Sequence, residues 1–199
     1  MKVILASRSP RRTDLLSMLG VAHEAVPSRV DESALAGERP DKQVLRLARA
    51  KAEAVKKAVA GDALVIGSDT LVVIGGRTLG QPKDKAEAAR MLSALSGKSH
   101  AVLTGVCLLR PGYKAAVGLC KSHVTFHGLS RAEIAWYVST REPLDKAGSY
   151  AAQGVGAIFI KSIKGSFYNV VGFPVDLFAS LLKEVGLTLP LLRGEAGQG

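Results

Sequence analysis

Aromatic residues are scarce in this sequence: one Trp, four Tyr and five Phe, 5% of the chain. Proteins that bind single-stranded nucleic acid stack its bases on aromatics interleaved with cations, and here the aromatics sit mostly away from the basic clusters. Cysteine is scarcer still, with Cys107 and Cys120 alone, flanking an expected Pro111-Gly112 turn. A hairpin there sets Cys107 opposite about residue 116 and Cys120 opposite about residue 103, too far apart for a bridge. Two reduced thiols are expected, and a disulfide framework is excluded. No apolar run approaches the roughly 20 residues of a membrane span, and the opening residues hold no signal-peptide core of sufficient length. The expected location is the cytoplasm, with no membrane partner. Acidic residues are the minority charge, 17 against 27 Lys and Arg, leaving a net charge of +10. That balance favours an anionic partner, whether nucleic acid, a membrane surface or a phosphorylated small molecule.

What is present is a globular composition, 47% hydrophobic and 22% charged over 199 residues, enough to bury a core without disulfides. Strand-like runs alternate with helix-like periods, so the fold class is α/β. Strands are expected at Lys2 to Ala6 and Ala22 to Val26, and helices at Pro10 to Leu19 and Pro40 to about Ala60. An apolar strand, Ala63 to Gly67, ends in Ser68-Asp69-Thr70. A hairpin follows, Leu71 to Ile74 with Arg77 to Leu79, then a helix from Asp84 to Leu95. Two long strands, roughly His100 to Leu109 and Tyr113 to Phe126, flank the Pro-Gly turn. Ser130 and Glu133 form a capping box opening a helix to Ser139. A strand is expected at Val155 to Ile160 and a last helix from Pro174 to Gly186. One domain over residues 1–190 is expected, with 191–199 a frayed tail.

Three places in the sequence hold residues that stability alone would not put there. In Ser7-Arg8-Ser9-Pro10-Arg11-Arg12, Pro10 suits the first helical position and Ser9 the N-cap. Arg11 and Arg12 then lie in the first turn, where the helix dipole is already positive. A strand, a Ser-rich turn and a helix N-terminus can hold a phosphate on backbone amides, and a bound anion would offset the arginines' repulsion. Lys51 falls in one narrow sector with Val44, Ala48 and Val55, opposite Arg46, Arg49, Lys56 and Lys57. A lysine in an apolar stripe must snorkel to water or face a polar cavity. Asp69 closes a strand apolar enough to be covered on both faces, and carboxyl ends of such strands line ligand crevices. Asp31 and Glu32 are carboxylates able to share a cation with Asp69, since Mg²⁺ takes one or two carboxylates plus substrate phosphates. Ser96 to Ser99 lacks the earlier glycine and preceding strand of a P-loop. His123 and His127 are four apart on a strand, about 13 Å, too far to share one zinc.

The segments "LASRSPRR", "VDES", "VLRLARAKA", "VIGSDT", "LSGKSHAVLTGV", "EPLDKAGSYAAQG" and "GSFYNVVGFP" occur in order from Leu5 to about Pro174. As an ordered set they resemble the Maf-like nucleotide pyrophosphatases. The resemblance implies a mixed, strongly twisted sheet flanked by helices, with two lobes around a deep cleft, and a homodimer using a divalent metal such as Mg²⁺, Mn²⁺ or Co²⁺. It implies hydrolysis of nucleoside triphosphates to the monophosphate and pyrophosphate. Its catalytic carboxylate matches Asp69, which with Glu32 would hold the metal. Its phosphate-binding positions match Ser7, Arg12 and Lys51. In the branch similar to this chain the positions that track pyrimidine triphosphates read Arg11, Thr70 and Gln153, so dTTP and UTP are the expected substrates, with modified pyrimidines beside them. The amide of Gln153 offers a donor and an acceptor to an imide edge.

The chain departs from the family pattern at Gln81-Pro82, where a lysine usually precedes the proline. Gln brings no charge to a phosphate, and Lys83 is the neighbouring cation expected to bind phosphate instead. Two other readings stand beside this one. A nucleic-acid-binding or septum-regulating protein with vestigial hydrolysis would use the basic surface, although the basic residues are spread rather than striped. A 7-methyl-GTP pyrophosphatase would carry an aromatic at the Arg11 position.

Overall fold

The computed structural model describes residues 1–194. The apolar run at the start forms β1 (Lys2–Leu5), and Pro10 at the first position opens α1 (Pro10–Met18). A two-residue strand β2 (Glu24–Ala25) follows, then an irregular loop, then α2 (Pro40–Lys56). After α2 come β3 (Ala63–Ile74), β4 (Arg77–Leu79), α3 (Lys85–Leu95) and the long strands β5 (Ser99–Leu109) and β6 (Ala116–Phe126). The expected capping box opens α4 (Arg131–Ser139), with Ser130 and Glu133 bonding each other's backbone. Three short 3₁₀ turns lead to β7 (Ile160–Lys164), and α5 (Phe167–Val171), α6 (Val175–Glu184) and α7 (Leu189–Arg193) complete the described residues. The tail expected to fray from residue 191 begins inside α7, and residues 195–199 lie outside the described residues.

Among the described residues seven strands form a mixed sheet in the order β2-β1-β3-β5-β6-β7, with β4 also pairing β3. β1 lies parallel to β3, Leu5 beside Ile66, while β4 returns antiparallel beside Val72 to Ile74. The described chain divides into two compact units. The first comprises residues 1–69, 104–120 and the segment from Gly172 onward; the second comprises 70–103 and 121–171. In the first, Ile4, Ala6, Val65 and Cys107 pack against the Ala48, Ala52 and Val55 stripe of α2. In the second, Leu92 and Leu95 of α3 and Tyr137 and Val138 of α4 pack with Val124, Phe126, Tyr150 and Phe159. Neither cysteine is in a disulfide, and burial pushes the Cys107 thiol up to about 12. Among the described residues no helix is long and apolar enough to cross a membrane.

Close approach of α2 to the sheet explains two glycines. A Cβ on Gly67 of β3 would fall on the Ala48 carbonyl, and one on Gly105 of β5 on the Val44 carbonyl. Only hydrogen at these positions lets the helix backbone lie on the strands.

Besides α5, which was not expected, and α7, which follows the helix expected to be last, two differences from expectation stand out. The strand from Ala63 does not end at Ser68-Asp69-Thr70 but runs through them, so Asp69 sits inside β3. The reason is that the Ser68 carbonyl and the Asp69 carboxylate find partners in place, in Arg12 and Lys51: β1 leaves β3 after Ile66 and β4 joins at Val72, and these side chains take up the interval between. Residues 155–159 form a 3₁₀ turn rather than a strand. Gly156 and Phe159 are buried while Val155 and Ile158 are exposed, a period of three rather than two.

Candidate active site

Asp69 is buried within β3, and its Oδ1 accepts a hydrogen bond from Lys51 Nζ at 2.7 Å. Lys51 does not snorkel to water. Only 8% of its side chain is exposed, and its ammonium also meets Glu32 Oε1 at 2.9 Å. The lysine in the apolar stripe of α2 therefore bridges two carboxylates from different segments, one buried on a strand and one half-exposed on a loop. A buried charge is tolerated only when paired in this way.

The loop that carries Glu32 is tied to the same helix. Arg46 Nε and Nη2 donate to the Glu38 carboxylate at 2.6 and 2.7 Å, and Nη2 also donates to the Ser33 carbonyl at 3.0 Å. Glu38 in turn accepts from the Leu35 amide. Hydrogen bonds from Arg46 hold the Glu38 carboxyl below its ordinary range. Asp31 turns to Ser33, whose hydrogen bonds lower its pKa, so of the acidic pair it is Glu32 that pairs with Lys51.

Arg12 is the second buried cation. Its Nη1 donates to Ser7 Oγ at 3.1 Å and to the Ser68 carbonyl at 2.9 Å, and its Nε to the Gly172 carbonyl at 3.0 Å. The Ser68 carbonyl lies on β3 between the stretches that β1 and β4 pair, and the guanidinium fills that place. Burial lowers the Arg12 pKa, with Asp69 pulling it up and Arg11 adding to the fall; guanidinium remains charged. Ser7 Oγ also accepts the Ser9 amide at 3.1 Å. Ser9 stands at the N-cap of α1 as expected, but its side chain makes no capping bond.

The first unit thus brings together Ser7, Arg12, Glu32, Lys51 and Asp69, five residues from four segments of the sequence. Arg11 is half-buried in the first turn of α1. Thr70, Lys83 and Gln153 belong to the second unit. Thr70 is half-buried on β3 directly after Asp69, and Lys83 and Gln153 are exposed. The Lys83 amide donates to Glu87 Oε2 at the start of α3. Gln81, at the departure from the family pattern, donates from Nε2 to the Asp145 carbonyl at 3.0 Å. Ser68, Gly172 and the Arg46–Glu38 pair are contributors the sequence did not single out. The first two act through backbone carbonyls, which leave no residue-type signature. The third carried a signal that went unread, an arginine eight residues after an acid.

The donor set fits a hard divalent cation. Asp69 and Glu32 already converge on one positive centre, and two carboxylates match Mg²⁺, which completes its shell with water and phosphate oxygens. Among the described residues no three His, Cys, Asp or Glu side chains gather into a metal cluster.

Carboxylates around a buried cation, beside a strand-to-helix turn in a mixed α/β fold, are the equipment of an enzyme rather than of a docking module. The chain belongs to the Maf-like protein family, which matches residues 2–185. It is similar to the dTTP/UTP pyrophosphatase of Anaeromyxobacter sp. (strain Fw109-5), with 52% identity over 95% of this chain and 92% of that one. It is likewise similar to the dTTP/UTP pyrophosphatases of Anaeromyxobacter dehalogenans (strain 2CP-1 / ATCC BAA-258), 50% identical over 96% of this chain and 98% of that one, and of Syntrophus aciditrophicus (strain SB), 47% identical over 93% and 90%. Among solved structures, the Staphylococcus aureus Ham1 protein has a TM-score of 0.45 at 15% identity over 80% of either chain, a likeness too distant to bear on the site.

Proposed function

We propose that this chain is a nucleoside triphosphate pyrophosphatase that hydrolyses dTTP and UTP, and modified pyrimidine triphosphates such as 5-methyl-UTP, to the monophosphate and pyrophosphate. The observation that carries the reading is Lys51, buried and bridging Asp69 and Glu32, in a chain about half identical to proteins named for that activity. We place the activity in one domain over residues 1–190, acting as a cytoplasmic homodimer.

In this reading Asp69 is the catalytic carboxylate. Lys51 fixes its Oδ1, and the carboxylate takes a proton from the attacking water. The water oxygen forms a bond to the α-phosphorus in line with the bond that breaks, and pyrophosphate leaves with the electron pair. A divalent cation held by Asp69 and Glu32 supplies neutralisation of phosphate charge when bound. Ser7, Arg12, Lys51 and Lys83 provide donors and positive charge to the triphosphate. Arg12 also sets Ser7 Oγ and the Ser68 carbonyl, and through Ser68 it steadies the strand on which Asp69 sits. Arg11, Thr70 and Gln153 select the base.

A substrate panel tests the proposal. With Mg²⁺ or Mn²⁺, pyrophosphate release from dTTP and UTP is expected to outpace release from CTP, GTP and 7-methyl-GTP by at least an order of magnitude in kcat/KM. Preference for 7-methyl-GTP, or no turnover of any nucleotide, would overturn it.

A further inference from the structure

Gln153 raises a physical difficulty. An amide pairs its acceptor and donor with the imide edge of uracil or thymine, but rotated by half a turn it presents the reverse pattern, which suits cytosine. The side chain therefore discriminates only if its backbone is held in one fixed conformation. Gln153 is exposed and belongs to no helix or strand.

The structure supplies a clamp on each side of it, two residues away. On the N-terminal side, the Ala151 amide donates to Tyr137 Oη at 3.1 Å. Tyr137 is fully buried on α4, its ring edge-on to Phe159 at 5.0 Å. Tyr150, one residue earlier, is locked by a 2.9 Å bond between its hydroxyl and His100 Nε2. On the C-terminal side, the Val155 amide donates to Glu142 Oε2 at 3.1 Å. The same carboxylate lies against Gly154, whose φ of 144° is open to glycine alone and where a Cβ would overlap Glu142 Oε1. Glu142 is itself set in place: its amide donates to Thr140 Oγ1 at 3.2 Å, and its carbonyl accepts Lys146 Nζ at 2.7 Å. The Tyr137 clamp is a core contact that the fold needs anyway. The Glu142 clamp is a half-buried carboxylate spent on a single loop amide, and charge-assisted bonds of this kind are the stronger ones.

We propose that Glu142 is a positioning residue for base selection: its carboxylate holds Gly154 and Val155 so that Gln153 reads the imide edge of the pyrimidine. The inference rests on the assignment of base selection to Gln153 given above. In it Glu142 touches neither the substrate nor the reacting atoms.

The test is a double-mutant cycle on the intact chain, read as the ratio of kcat/KM for dTTP to that for CTP. Glu142→Ala is expected to lower the ratio about tenfold, mainly by raising KM for dTTP. Glu142→Gln, which keeps an oxygen acceptor, is expected to restore most of it. Adding Glu142→Ala to Gln153→Ala is expected to change the ratio no further than Gln153→Ala alone does. Thermal melts accompany each variant. A variant that loses stability yet keeps the wild-type ratio would overturn the proposal, as would additive losses in the cycle. Gln153→Ala with an unchanged ratio would instead overturn the assignment of Gln153, and a collapsed ratio in Gln153→Ala with an intact one in Glu142→Ala would overturn the clamp alone.

Discussion

Asp69→Asn is expected to lower kcat/KM for dTTP by about three orders of magnitude while the protein remains folded. A positioned general base contributes roughly 10² to 10⁴ in rate, and in the proposed mechanism Asn removes both the proton acceptor and one of the two carboxylates that would hold a cation. The change nearly preserves shape, and its side-chain oxygen still accepts from Lys51 Nζ, now at 2.7 Å from Asp69 Oδ1. The ammonium also keeps Glu32 at 2.9 Å. The cost in stability is therefore expected to stay below the roughly 3–5 kcal/mol of stripping a buried pair of one partner. Steady-state kinetics and a thermal melt on the same preparation separate the two effects. A melt close to wild type with activity within tenfold of it would remove Asp69 from the chemistry.

Gly67→Ala is expected to have the largest effect on stability, about 3 kcal/mol or more, read as a fall in the urea midpoint. The added methyl would fall on the Ala48 carbonyl and lie 2.9 Å from the Ala52 Cβ and amide nitrogen. Both contacts are with α2 itself, so no flexible side chain can yield and the helix must move. Lys51 lies on that helix between the two residues struck, so its pairing with Asp69 is expected to suffer, and activity to fall with stability. Gly128→Ala is the control: nothing lies within 4 Å of its added Cβ, and a change within about 0.5 kcal/mol is expected. A Gly67→Ala protein as stable as wild type would mean that α2 and β3 are not in the close contact described.

How much of this was legible in the sequence depended on whether the signal was local. The stripe of α2 with Lys51 in it followed from helical spacing, which left open snorkelling or a polar partner inside, and the structure buries that lysine. The Ser130–Glu133 box needed four residues and was read correctly. Asp69 was singled out for the wrong local reason, as a strand end, because a polar triplet in an apolar run looks like a stop. It is no stop when Arg12 meets the Ser68 carbonyl and Lys51 the Asp69 carboxylate, from 56 and 18 residues away. The two arginines at the start of α1 drew attention through the helix dipole. That one of them folds inward to hold carbonyls of Ser68 and Gly172 depends on contacts across as many as 160 residues. Residues 155–159 misled because their apolar content fits period two and period three alike, and Gly156 against Tyr137 decides the matter. Glu142 opens the segment "EPLDKAGSYAAQG", but nothing local pointed to its role, since its partner is a backbone amide.

In the proposed reaction, water attacks the α-phosphorus of dTTP at the Asp69–Lys51–Glu32 site. Hydrolysis of dTTP in ¹⁸O-labelled water, followed by mass spectrometry of the products, tests it most directly. The expected products are dTMP carrying one ¹⁸O and unlabelled pyrophosphate; label in pyrophosphate, or dTDP with orthophosphate as the products, would overturn the proposed reaction.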